Sequence, residues 1–159
     1  DSILGAIGAG DIGDHFPDTD PKNKNLDSEV IVRLAIEKSL SMNLILNNLD
    51  ITLLLESPKI SDYKDKIKNR LASIFGHVTK DYYEQQAAAM QPPPMSDDDD
   101  KHISFEKNMF AIQDKISNFG FDLIDNNIIN IKASTSESLG FIGKGQGVTC
   151  YCITSLRDF

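Results

Sequence analysis

Three clusters in this chain carry residue types that could bind or transform an anionic ligand. The first is Asp11-Ile12-Gly13, followed by Phe16-Pro17-Asp18-Thr19-Asp20. Carboxylates set among Gly and Pro on a loop accept hydrogen bonds from hydroxyl groups; the simpler reading is a set of turn and cap residues. The second is Glu56-Ser57-Pro58-Lys59-Ile60 after a strand-like run. Backbone groups in such a loop can read the edge of a flat base, although an ordinary strand-to-helix connection has the same composition. The third is Lys132-Ala133-Ser134-Thr135-Ser136-Glu137, then Gly143-Lys144-Gly145-Gln146-Gly147. Its hydroxyls, amides and lysines make a candidate phosphate cradle, and Glu137 could hold a hard cation. Taken alone it also reads as a Gly-rich hairpin.

Several function classes fall away. The third cluster matches neither the P-loop pattern nor the dinucleotide fingerprint. A formal net charge of −8 argues against a diffuse nucleic-acid surface. An acidic chain binds phosphate only with local help from metal ions, backbone amides or a few placed lysines. His15, His77 and His102 form no helical i, i+4 pair; His77 and His102 are expected to be exposed, and His15 to be a loop residue. Cys150 and Cys152 lie two apart in a strand-like run and face one side. That spacing disfavours a disulfide, the lack of a second Cys pair weakens a zinc-knuckle reading, and buried structural thiols are expected.

The elements that must position these clusters follow from pattern. With 159 residues and 40% hydrophobic content, one domain over 1–159 is expected, with a real core. No run approaches the length of a membrane span. Asp1-Ser2-Ile3-Leu4-Gly5-Ala6-Ile7 reads as the end of a helix, suggesting lost upstream sequence. Residues 11–25 are turn chemistry throughout. A helix begins at about Ser28, with Asp27 or Ser28 as N-cap; Glu29, Arg33 and Glu37 form a narrow exposed stripe. Leu49, Ile51, Leu53 and Leu55 alternate onto one strand face before Pro58. A second helix starts near Asp62, with Tyr63, Ile67, Leu71 and Ile74 as its seam. A disordered insertion is expected at about 77–104, where Ala, Pro and Asp runs dominate. Within it Asp97-Asp98-Asp99-Asp100-Lys101 also has the pattern of an engineered protease site. Phe105, Met109, Ile112, Ile116 and Phe119 recur at helical spacing, and strands are expected from Asn127 to Ala133 and from Val148 to about Leu156. The order predicts an α+β fold (mixed α/β, two-layer): a small mixed β-sheet with helices on one face.

The three clusters occur together and in order. Gly10-Asp11-Ile12-Gly13-Asp14-His15-Phe16-Pro17-Asp18-Thr19-Asp20 resembles the signature loop of the 2-C-methyl-D-erythritol 2,4-cyclodiphosphate synthase family. Ser57-Pro58-Lys59-Ile60 resembles that family's Ala-Pro-Lys. Asn130-Ile131-Lys132-Ala133-Ser134-Thr135-Ser136-Glu137, with Leu139-Gly140-Phe141 and Gly143-Lys144-Gly145, resembles its Lys-Ala-Thr-Thr-x-Glu-x-Leu-Gly-Phe block. The likeness covers nearly all of the chain outside about 77–120.

The resemblance implies a homotrimeric lyase with active sites between subunits. It implies conversion of 4-diphosphocytidyl-2-C-methyl-D-erythritol 2-phosphate to the 2,4-cyclodiphosphate plus CMP, in non-mevalonate isoprenoid synthesis. The substrate's own phosphate is then the nucleophile, so catalysis is positioning and charge stabilisation, with Zn2+ and Mg2+ (or Mn2+) supplying positive charge. Neither nucleic acid nor a membrane is an expected partner. By resemblance Asp11, Ile12 and Gly13 contact sugar hydroxyls, and Phe16, Pro17, Asp18, Thr19 and Asp20 shape the erythritol side. Leu55 to Ser61, including Ser57, Pro58, Lys59, Ile60 and Ser61, would hold cytosine largely through backbone groups. Ser134, Thr135 and Ser136 would face the diphosphate, with Thr135 stabilising the transition state and Glu137 binding magnesium. Phe141 and Lys144 match further contacts.

Departures are equally specific. The family's Asp-x-His and second His for zinc, and its His-Ser pair, have no counterpart in this chain, which is expected to be inactive alone. Lys144 stands for a usual Arg and Gln146 for a usual Glu. Either 62–75 or 105–119 could be the family helix. The competing reading is a non-catalytic trimeric nucleotide- or isoprenoid-phosphate-binding protein. Richness in Asn, Lys and Ile fits a plastid-bearing parasite and its plastid (apicoplast), with a bacterial cytoplasm as the alternative.

Overall fold

A computed structural model describes residues 1–92, 99–118 and 126–158. Its centre is β1 (Leu44–Leu54), flanked by β2 (Ile129–Ser134) and β3 (Thr149–Asp158) in the order β2-β1-β3. β1 runs parallel to β2, from Leu49↔Ile129 to Leu54↔Ser134. It runs antiparallel to β3, with a register irregularity between Leu46 and Asn48. Cross-strand partners share a face. Leu49, Ile51 and Leu53 therefore point the same way as Ile129 and Ile131, into the core. The expected small mixed sheet is thus present, and β1 starts five residues earlier than the alternation at Leu49 indicated.

Helices cover this apolar face. α1 (Ser2–Ala6) buries Ile3 and Leu4 and packs against β3. Ser2 Oγ lies 2.7 Å from Thr154 Oγ1 and donates to Cys152 Sγ at 3.2 Å. α2 (Ile12–His15) is a single turn. α3 (Ser28–Ser41) starts at the Asp27 N-cap, whose side chain accepts from Glu29 N at 2.9 Å, and buries Ala35, Ile36 and Leu40. Its stripe of charges faces α4 (Lys64–Ala89): Arg70 pairs with Glu29 at 2.5 Å and Arg33 with Asp81 at 3.1 Å.

α4 corrects the insertion expected at about 77–104. Residues 77–89 continue the helix, and Val78, Thr79 and Tyr83 are buried. The spacing of Ile67, Leu71, Ile74, Phe75 and Val78 carries one apolar seam past the expected boundary. α5 (Asp99–Asn118) includes residues 99–104, and Ile112 packs against the core. Residues 93–98 of the expected insertion lie outside the described residues. Lys115 lies 5.2 Å above the Tyr83 ring and donates to Asn43 Oδ1 at 2.5 Å; burial draws its amine pKa down.

The cysteines also depart from expectation. Cys150 and Cys152 are both free and exposed. Both point toward the helix side of β3, but β3 is an edge strand covered chiefly by the five-residue α1. Burial, with Cys152 adding to it, still raises the Cys150 pKa, which disfavours thiolate chemistry there. Among the described residues, no helix is long and apolar enough to cross a membrane.

Ile129 and Val78 are fully buried where sheet and α4 meet, whereas Val30 is 43% exposed. Ile129→Ala should lower the unfolding free energy by about 2–5 kcal/mol. Val30→Ala should change it by less than about 0.5 kcal/mol. Urea titration of both variants checks the contrast.

Candidate functional site

The second and third clusters meet where the parallel pair ends. Leu55 N donates to Ser134 O at 3.1 Å, one step beyond the last β1–β2 partners. Side by side, the two chain exits frame a cavity of about 320 Å³. Leu55, Pro58, Lys59, Ile60 and Ser61 line it from one side, and Ser134 and Thr135 from the other. Glu56, Lys64 and Ala133 complete the lining. Crevices beyond the carboxyl ends of parallel strands are common ligand sites in α/β sheets, because loops there diverge and leave backbone groups exposed. Lys59 and Lys64 give this cavity positive charge in an acidic chain.

The loop after Thr135 is a sequence of tight turns. Glu137 and Ser138 adopt φ of 53° and 61°, consecutive left-handed residues that are uncommon outside Gly and Asn. Ser136 Oγ donates to Leu139 O at 3.0 Å, and Leu139 N to Ser136 O at 2.9 Å. Ser136 is thereby engaged in the turn itself. A short helix, α6 (Gly140–Gly143), follows, with Phe141 exposed within it and Lys144 exposed at its C-cap. A Cβ at Gly143 would collide with the Ser138 backbone and lie 2.9 Å from Ser136 Oγ, so only glycine lets these turns approach.

The first cluster stands apart from this cavity. Asp11 is the N-cap of α2, and a reciprocal capping box joins it to Asp14: Asp14 N donates to Asp11 Oδ1 at 3.0 Å and Asp11 N to Asp14 Oδ2 at 3.1 Å. This helical turn replaces part of the loop expected over 11–25, because two aspartates three apart satisfy orphan amides at both ends of the box. His15 Nε2 donates to Ala9 O at 2.8 Å, so the ring pins the loop. Asp20 Oδ1 accepts from Lys22 N at 3.0 Å. Gly13, Pro17, Asp18 and Thr19 are exposed, Phe16 and Asp20 are half-buried, and Ile12 packs on the core. None of these residues lines the Leu55–Thr135 cavity. Ile12 instead borders a separate apolar hollow of about 630 Å³ beside α1 and β3.

Several placements differ from the sequence reading. Lys132, read as part of the phosphate cradle, is held on the outer sheet face, where Nζ donates to Asp50 Oδ2 at 2.6 Å. Asn130 Nδ2 donates to Asp50 Oδ1 at 2.9 Å. Donation from Lys132 holds the Asp50 carboxyl below its usual range; burial opposes this, and Asn130 and the Lys132 charge reinforce it. Glu56 and Lys64 line the cavity although sequence reasoning gave their side chains no role. For Lys64 the available signal was its place one helical turn past Lys59 and Ile60. Ser57 lies in the loop but not in the lining. Glu137 is exposed and outside the lining. Among the described residues no group of three His, Cys, Asp or Glu side chains could hold a metal ion, so zinc has no fit within them.

A three-stranded mixed sheet with helices on one face and a lysine-bearing cavity at the parallel strand ends define a small α+β domain with a candidate ligand cavity. The chain belongs to the YgbB family, whose model matches residues 1–82. That match ends within α4 and so includes 62–75 but not 105–119. The chain is 50% identical to the 2-C-methyl-D-erythritol 2,4-cyclodiphosphate synthase of Leptospira borgpetersenii over 74 residues, 46% of each chain. It is similar to the structure of the bifunctional IspDF from Campylobacter jejuni, at 31% identity and a TM-score of 0.61. That likeness covers 100% of this chain and 30% of the other. It is also similar to Plasmodium falciparum IspF, solved as a CDP complex, at 27% identity and a TM-score of 0.53, covering 98% and 65%. The chain spans less than two thirds of the length of each of these relatives.

Two outcomes follow from this geometry. Gly143→Ala should displace Ser138 and Ser136 and disorder the turn, visible as lost amide protection in hydrogen exchange over 136–143. Asp50 has a depressed folded-state pKa, so its stabilisation is present above the unfolded aspartate pKa and lost as pH falls through the folded value. The stability advantage of wild type over Asp50→Asn should therefore be constant near neutral pH and shrink in acid, as measured by urea midpoints across pH.

Proposed function

We propose that this chain is part of a phosphorus–oxygen lyase that closes 4-diphosphocytidyl-2-C-methyl-D-erythritol 2-phosphate to 2-C-methyl-D-erythritol 2,4-cyclodiphosphate and releases CMP. The observation that carries this reading is the single cavity shared by the Leu55–Ser61 loop and Ser134–Thr135. The loop takes the cytosine and the Ser134–Thr135 edge faces the diphosphate. CDP in the Plasmodium falciparum relative's complex supports a cytidine nucleotide as ligand. An oxygen of the substrate's 2-phosphate attacks the β-phosphorus, the bond from that phosphorus to the bridging oxygen breaks, and CMP departs with the electron pair. Thr135 donates a hydrogen bond to the phosphoryl oxygens as charge builds there, and Lys59 and Lys64 make the local potential more positive, which stabilises that charge.

Membership of the YgbB family points to metal-dependent chemistry. Glu137 is our candidate for Mg2+ or Mn2+: an exposed carboxylate serves where phosphate oxygens and water complete the shell. The metal would supply countercharge to the phosphates. Zinc, lacking a fit among the described residues, enters no step here.

The separation of the first cluster from the cavity supports a site completed by a neighbouring subunit. In this reading Asp11, Ile12, Gly13 and Phe16 to Asp20 of one subunit meet the sugar held by the next, in a homotrimer. Tyr151 and Ile153, 61% and 70% exposed on the sheet face opposite the helices, support an interface there. Phe141 and Lys144 border the same assembly. The bacterial relative favours a bacterial-type cytoplasmic setting over a plastid.

In the full-length protein, Thr135→Ala should lower the rate of CMP release by about 10²–10³-fold. CDP affinity, measured by calorimetry, should fall by less than about tenfold, since one donor to the transition state is lost and the base contacts remain. Equal losses in rate and CDP affinity, or wild type without CMP release in the presence of divalent metal, would favour the non-catalytic binding protein.

A further inference from the structure

We propose that Cys150 and Cys152 form a two-thiolate site for a soft monovalent cation, Cu(I), on the wall of the apolar hollow beside α1 and β3. The site is separate from the Leu55–Thr135 cavity and does not depend on the lyase reading. Both cysteines line the hollow, whose volume is about 630 Å³, and both are free and exposed. Their register partners on β1 are Leu53 and Ile51, which pack on the core. Both sulfurs therefore project from the helix side of β3.

Spacing selects what can join the two thiols. Same-face positions on a strand stand about 7 Å apart. A disulfide needs its Cβ atoms about 3.8 Å apart, which this spacing does not offer. A metal–thiolate bond of about 2.3 Å gives a linear sulfur–metal–sulfur unit of roughly 4.6 Å, within reach of two side chains turned toward each other. Donor number then selects the metal. Zinc takes four ligands, and among the described residues no third His, Cys, Asp or Glu joins the pair. Thiolates favour Cu(I) among soft cations, and two sulfurs satisfy it. Ile3, Leu4, Leu49, Ile51 and Phe75 in the lining supply no competing donor.

One sulfur is already positioned. Ser2 Oγ donates to Cys152 Sγ at 3.2 Å and lies 2.7 Å from Thr154 Oγ1. With its proton committed to sulfur, Ser2 accepts from Thr154, and this relay orients Cys152 and steadies negative charge on it. Burial raises the Cys150 pKa, so that thiol is a poor free nucleophile at neutral pH. Coordination is not barred, because a thiol bound to a metal is deprotonated outright. Uptake releases two protons, one from each S–H, and changes no oxidation state. Affinity therefore rises with pH.

The test is anaerobic titration of the full-length protein with Cu(I) against a chromogenic Cu(I) chelator, for wild type, Cys150→Ser, Cys152→Ser and the double variant. Far-UV circular dichroism confirms that each is folded. Wild type should withhold one Cu(I) per chain from the chelator, and X-ray absorption should show two sulfur ligands. Each single variant should lose about 100-fold or more in affinity, because the second thiolate no longer acts at high local concentration. Excess Zn2+ should leave the copper in place. Folded wild type that binds no copper overturns the proposal, as does displacement by zinc or coordination by nitrogen or oxygen. Equal affinity in wild type and either single variant also overturns it, since that is the signature of one thiol or of a site elsewhere.

Discussion

The parallel pairing of β1 with β2 is the constraint on which the candidate site depends. Six partners, Leu49↔Ile129 through Leu54↔Ser134, hold two segments that are distant in sequence at one register. Because side chains alternate, a slip of one residue would send Ile129 and Ile131 to solvent and Asn130 and Lys132 into the core. The apolar side resists the slip through burial of Ile129 and Ile131 beneath α4. On the other side the Asp50–Lys132–Asn130 group has complementary partners only in this register. Both faces therefore specify the same alignment, and that alignment brings Leu55 to Ser134.

Parallel strands need a long crossover, and here it contains α4 and α5. α4 is anchored at both ends of its contact with α3, by Arg70–Glu29 near its start and Arg33–Asp81 further along. These pairs are substantially exposed, so each adds little to stability. Their geometric role is larger: with the Ile74, Phe75 and Val78 seam they fix the rotation of α4 over the sheet. Lys64, in the first turn of that helix, is thereby directed to the cavity.

Much of this was legible in the sequence, for physical reasons that can be named. Asp27 announced α3 because a side chain that accepts from Glu29 N is what an N-terminus lacks. Leu49, Ile51 and Leu53 announced a one-sided strand; the family resemblance put the Leu55–Ser61 and Ser134–Ser136 clusters on one ligand, and the structure places Pro58, Lys59, Ile60, Ser134 and Thr135 around one cavity. What was missed depended on tertiary context. Composition averaged over 77–104 was dominated by Ala, Pro and Asp, which hid Val78, Thr79 and Tyr83 at helical spacing from the preceding seam. Burial of Cys150 and Cys152 depends on what covers an edge strand, which alternation cannot report. Lys132 looked like a phosphate ligand because its neighbours are Ser and Thr; its true partner, Asp50, is distant in sequence and meets it only through the sheet register.

The same register explains how a chain of net charge −8 can present a cationic pocket. Charge acts locally when separations exceed the Debye length, about 8 Å at physiological ionic strength. The carboxylates of the first cluster are gathered around α2, where Asp11 and Asp14 satisfy backbone amides. Asp50, the acid nearest to the cavity along β1, is neutralised by Lys132 on the opposite face. What remains at the strand ends is Lys59 and Lys64 against a single acid, Glu56. An anion entering there would meet two positive groups and one carboxylate, of which Oε2 is buried. Holding Asp11 and Asp14 in a capping box and Asp50 against Lys132 leaves Lys59 and Lys64 as the excess charge of the cavity lining.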